Sequence, residues 1–155
     1  MRYMALLLFL TALASFLGLV PFSSMEISSL QPAELLVITP VDGGVTLRTE
    51  DALTAWGRDL EEAFQNLKAA APGKILFSTV SQLVCVGEVP DPKTLTDCGL
   101  RPATAVYRSP EVEDVKALQK YLTSREGTVT LGMLRDGEQV DVPQLRVGKS
   151  GLYLP

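Results

Sequence analysis

The hydrophobic pattern of the chain divides it in two. From Met4 to Phe22 the sequence MALLLFLTALASFLGLVPF carries no charged side chain over 19 residues, a length that reaches across a bilayer's hydrocarbon layer. Beyond it the apolar positions become short and periodic. Glu34–Thr39 is a brief aliphatic run between Pro32 and Pro40 and predicts a strand. Asp42-Gly43-Gly44 is a turn signal, and Val45–Thr49 alternates with period two, so the two runs predict a hairpin. Glu50–Gly57 carries no clear period, and its Trp56 is expected to cover the edge of the core.

A helix is predicted next. Asp59-Leu60-Glu61-Glu62 has the form of a capping box, and Leu60, Ala63, Phe64 and Leu67 fall on one helical face up to the stop at Pro72-Gly73. Such a stripe reads as a core face. Lys74–Phe77, Gln82–Val86 and Ala103–Tyr107 predict three further strands, with a short helical turn over Lys93–Asp97. Ser109-Pro110-Glu111 predicts a helix start with proline in the first turn, and Val112, Val115, Leu118 and Leu122 mark its apolar side. Thr128–Leu134, the Asp136-Gly137 turn and Gln139–Val142 predict a second hairpin, followed by short strands at Leu145–Val147 and Gly151–Leu154. The sum is an α+β fold: a mixed β-sheet with two principal helices behind one N-terminal transmembrane or signal helix. Four stretches follow: residues 1–24 as signal anchor or signal peptide, 25–32 as spacer, 33–125 as an α+β domain, and 126–155 as a β-rich C-terminal extension.

Charge sharpens this. Arg2 precedes the apolar run and Glu26 and Glu34 follow it, which by the positive-inside rule leaves the body extracytoplasmic. Ala12-Leu13-Ala14 matches a signal-peptidase site, but a cut there would leave SFLGLVPF at the new terminus. An uncleaved single-pass anchor through residues 4–22 is therefore the preferred reading. With 14 basic against 18 acidic side chains, a net charge of -4, the chain has no basic field for nucleic acid. The absence of histidine excludes Ser-His-Asp and Cys-His catalysis.

The remaining candidates for chemistry are few. Cys85 and Cys98 are the only cysteines. An even count in an exported protein invites a disulfide, whereas Cys85 sits in an apolar strand pattern that suits a small buried hydrophobe. The unbridged reading is preferred. Two thiols without histidine do not make a zinc site. The acidic pairs Glu61-Glu62 and Glu113-Asp114 fall on polar helix faces. Gly148-Lys149-Ser150 has the ending of a phosphate loop, but Pro143 stands where its first glycine belongs. No catalytic, cofactor or metal residue is assigned, and the protein is expected not to be an enzyme.

The order of these pieces resembles a known family. Ala33–Thr39, a glycine turn and Val45–Thr49 lead into Gly57-Arg-Asp-Leu-Glu-Glu-Ala-Phe-Gln-Asn-Leu67. Pro72-Gly-Lys-Ile-Leu-Phe77 and Leu83-Val84-Cys85-Val86-Gly87-Glu88 come next, then Ala103–Arg108 and the Ser109–Leu122 helix. This pattern resembles the N-terminal part of the C-subunit family of spore germinant receptors (the Ger(x)C family). The resemblance covers residues 33–122 and, more weakly, 123–155. It implies a non-catalytic protein on the outer face of the inner spore membrane that acts with integral-membrane receptor subunits in germination. The chain departs from the family in lacking a lipobox cysteine and in carrying Ser78-Thr79-Val80 where a glycine-histidine step is common. A membrane helix through residues 4–22 would then replace the lipid. Two other readings use the same features: a generic exported binding or assembly module of the cell envelope, and a small exported hydrolase.

Overall fold

The aliphatic run of β2 (Leu35–Val41) is continuous because both of its faces are covered. Leu35, Leu36, Val37 and Ile38 are all buried, the mark of a central strand with helices on either side. The computed structural model describes residues 30–125, 127–148 and 151–153, so the 4–22 run and any cleavage site lie outside the described residues. Among the described residues no helix is long and apolar enough to cross a membrane.

β2 turns through Asp42-Gly43 into β3 (Gly44–Thr49), and β4 (Thr54–Gly57) follows, making an antiparallel meander. The Asp42-Gly43 turn needs a positive φ, which Gly43 supplies at +80°. On the other side of β2, β6 (Gln82–Val86) and β7 (Ala105–Ser109) run parallel to it. The five-stranded mixed sheet has the order β4-β3-β2-β6-β7. Before it, β1 (Leu30–Pro32) pairs in parallel with β5 (Lys74–Leu76). The eight-residue stretch read as a spacer thus ends in a strand, since Gln31 and Pro32 align with Ile75 and Leu76.

The two principal helices take opposite faces. Helix α1 (Leu60–Ala70) buries Leu60, Ala63, Phe64 and Leu67 against Leu36, Ile38, Leu47, Leu83, Cys85 and Val106. The short α2 (Pro92–Asp97) and α4 (Leu131–Arg135) add Leu95 and Leu131 to that core. Helix α3 (Val115–Thr123) buries Leu118 and Leu122 against Leu35, Val37, Val84 and Tyr107. The predicted capping box forms with one shift. Asp59 accepts from the Glu62 N–H at 2.8 Å, while the Glu62 carboxylate reaches the N–H of Arg58 instead of Asp59's own.

Three expected elements differ. The third sheet strand runs Ala105–Ser109, two residues later than predicted, in register with Gln82–Val86. Helix α3 begins at Val115, because Ser109 still belongs to the strand and the Arg48 guanidinium donates to the Val112 carbonyl, holding the loop between. Asp114 is the true cap and accepts from the Ala117 N–H at 3.0 Å. Asp114→Ala is expected to cost about 1 kcal/mol, read as a lower urea midpoint with an unchanged slope.

The hairpin expected over 128–142 is replaced by α4, capped by Thr130. Its flanks instead line the outer edge of β7. Val129 accepts from the Val106 N–H, Pro143 accepts from the Arg108 N–H, and the Leu145 N–H donates to Arg108. Val129, Leu131 and Leu145 are buried, the last two in the cores that residues 33–125 build. At the end, β8 (Arg146–Gly148) and β9 (Gly151–Tyr153) pair antiparallel, close to the terminal strands expected there.

Candidate functional site

The polar side chains that sequence alone marked for chemistry are drawn into caps and clefts. Of Glu61-Glu62, Glu62 is held by Arg58, whose Nε lies 3.0 Å from Oε2. The hydrogen bonds from the Arg58 side chain and backbone hold the Glu62 carboxyl below its ordinary range. Glu61 instead lines a cleft of about 260 Å³ with Phe64, Gln65, Lys68, Asp97 and Cys98. Glu113-Asp114 divides in the same way. Asp114 caps α3, and both residues border a second cleft. These pairs sit at helix starts, and neither brings two carboxylates to face each other as a free acid and base.

The second cleft, about 340 Å³, lies between the β3–β4 corner and the start of α3. Arg48, Glu50, Ala52 and Thr54 line one side, and Glu113, Asp114, Val115 and Lys116 the other. Glu50 is 7% exposed, and its two oxygens accept from the N–H groups of Glu34 and Leu35. It is therefore a strut that ties the β3–β4 corner to the start of β2. Ala52 supports that corner in the left-handed region, at φ 62°. The recess carries charges of both signs.

The two cysteines differ in their surroundings. Both are free, Cys85 buried in β6 and Cys98 half-buried just after α2. The unbridged reading therefore stands. Burial pushes the Cys85 thiol up to about 12, with a small opposing pull from Arg108. Burial also raises Cys98, with Glu61, Asp97 and Asp59 adding to the rise and Lys68 opposing it. Because the folded value of Cys85 lies above its ordinary value near 9.0, folding holds the thiol neutral. The corresponding stability is complete below about pH 9 and is lost as pH climbs toward 12. Cys85→Ala is expected to flatten the stability decline across that window, as measured by urea unfolding at stepped pH. In the native protein, thiol alkylation is expected to reach Cys98 well before Cys85. Among the described residues no group of three or more His, Cys, Asp or Glu is arranged to hold a metal ion. Lys149 and Ser150 of the loop-like ending lie outside the described residues.

One feature was missed at the sequence level. Trp56 does not cover the core edge; it is 48% exposed, and Val41 is 40% exposed. Trp56 pairs with Thr46, Thr46 with Thr39, and Val41 with Gly44. Strand alternation puts all of these on the face that carries Leu35 and Val37, beyond the part that α3 covers. A Cβ on Gly44 would lie 3.0 Å from the indole Nε1, so the ring extends over that glycine toward Val41. Thr54 and Trp56, two apart on a strand, were the available signal. No family model matches the chain, and no curated protein or solved structure matches it with significance.

Proposed function

We propose that this chain is a membrane-anchored, extracytoplasmic, non-catalytic protein of spore germination, similar to the germinant-receptor C subunits. It works by presenting a surface to integral-membrane partners. One observation carries the reading: β2 and β3 lead through β4 and Gly57 into α1, and then come β5 from Lys74, β6 ending at Val86, α2, β7 and α3. The resemblance over residues 33–122 implies the same succession apart from β4 and α2. The commitments of the acidic groups support the non-catalytic part. Glu50 serves two backbone amides, Glu62 serves Arg58, and Asp114 serves the first turn of α3.

The test is fractionation and affinity capture of a C-terminally tagged full chain from spores of the native host. The protein is expected in the inner-membrane fraction together with polytopic receptor subunits, and its deletion is expected to slow germination. Recovery from the soluble fraction would overturn the reading. Capture with only wall or secretion proteins would replace it with an exported envelope-assembly module.

A further inference from the structure

The Val41–Trp56 patch sits at the hairpin end of the sheet, away from the end where the chain enters. β2 runs from Leu35 toward Val41, and Trp56 is level with Thr39. Nine residues separate Leu30 from Thr39, about 30 Å of strand at most. Seven residues, 23–29, separate the apolar run from Leu30. Even fully extended they span no more than about 25 Å. If residues 4–22 are embedded, a membrane surface is therefore always within reach of the body. On that reading of the anchor, we infer that Val41 and Trp56 rest in the membrane interface. They form a second, weak contact that lays the strands along the bilayer.

Two considerations select lipid over another occupant, and a third selects the kind of lipid. The first is area. Two side chains that are 40% and 48% exposed offer roughly 200 Å² of apolar surface. A stable protein pair buries about 800 Å² on each partner, so the patch is too small to hold a second copy by itself. A tethered body needs far less, because the anchor supplies a high effective concentration. The second is chemistry: an exposed indole beside an aliphatic side chain is what the headgroup boundary accepts. The third is charge. Asp42 lies at the hairpin tip between the two strands, and the chain is net acidic. The contact is accordingly with the neutral interface, and anionic lipid weakens it.

Trp56 is the chain's single tryptophan, so its fluorescence reports the patch alone. The full chain is reconstituted into phosphatidylcholine vesicles and floated on a density gradient. In the floated fraction the emission maximum is expected to shift to the blue. Lipid brominated near the headgroup should quench most of the emission, while aqueous iodide quenches little. Val41→Asp should restore water-like emission and iodide quenching without changing flotation or the melting temperature. Replacing part of the lipid with phosphatidylserine should reduce the bromolipid quenching. Flotation with water-like, iodide-quenched emission overturns the interfacial contact and leaves the anchor standing. Shielding from iodide without bromolipid quenching means that protein covers the patch, which also overturns it. Failure to float removes the anchor, and the second contact with it.

Discussion

Gly57→Ala is expected to lower folding stability by about 3 kcal/mol, although it adds only one methyl group. The position is buried at the end of β4, where the strand meets the start of α1. A Cβ there would overlap the backbone N and Cα of Ala63 and the carbonyl carbon of Glu62. None of these atoms can step aside by a rotamer change. Either the first turn of α1 moves off the sheet or β4 leaves its register with β3. The first option disturbs the cap in which Asp59 accepts from Glu62 and Glu62 accepts from Arg58, and losing a cap costs about 1 kcal/mol on its own. The second exposes the apolar face that Leu47 and Ala55 present to α1. Gly43→Ala is the control. It sits at φ +80° with nothing within 4 Å of a new Cβ, so only backbone strain opposes it, about 1 kcal/mol. Urea unfolding of both variants separates the two causes. Equal losses would mean that the strand and helix do not approach closely at Gly57.

This same junction shows what could and could not be read from sequence. Asp59 and Glu62 announce the helix start, and the spacing of Leu60, Ala63, Phe64 and Leu67 announces its buried face, because both signals are local. Gly57 is different. Its necessity comes from Ala63 lying above it, a contact between two elements. The Ser109-Pro110-Glu111 start failed for a related reason. Proline suits a helix's first turn, but the pairing of Ser109 with Val86 and the grip of Arg48 on Val112 decided the matter from elsewhere in the fold. The hairpin over 128–142 failed because Val129 and Leu131 owe their burial to β7 and to the Pro102–Thr104 corner, not to each other. Leu131 and Gly132 donate their N–H groups to the carbonyls of Thr104 and Pro102. The expectation that Trp56 covers the core edge fails against its 48% exposure. Its exposure follows from where α3 stops covering the sheet, which no window of sequence around Trp56 contains. The acidic pairs were legible as polar surface, yet the capping of Asp114 was visible only once α3 was known to start after it.

Phe64→Ala is expected to cost more than any substitution of a single aliphatic residue on α1, about 3–5 kcal/mol. Phe64 is 1% exposed and projects from the middle of the α1 stripe into the larger core. Its ring meets Phe77 at 4.8 Å between centroids with the planes 77° apart, an edge-to-face pair worth about 0.5–1.5 kcal/mol beyond area burial. Truncation removes that pair and leaves a void beneath α1. The damage extends to Phe77, whose ring also lies 5.5 Å from the Lys68 ammonium. Phe77 opens the 3₁₀ turn Phe77–Thr79 directly after β5, so its backbone is held and it cannot move in to fill the space. For a domain whose whole stability is about 5–15 kcal/mol, the loss predicts a fall in melting temperature on the order of 10–20 °C. Phe64→Leu keeps most of the volume and should cost about 1–1.5 kcal/mol, leaving the unfolding slope in urea unchanged. If Phe64→Ala and Phe64→Leu melted together, the edge-to-face pair and the packing under α1 would not be what joins this helix to the sheet. A variant that keeps its melting temperature while Gly57→Ala loses it would mean that α1 is held at its N-terminal junction and not along its buried stripe.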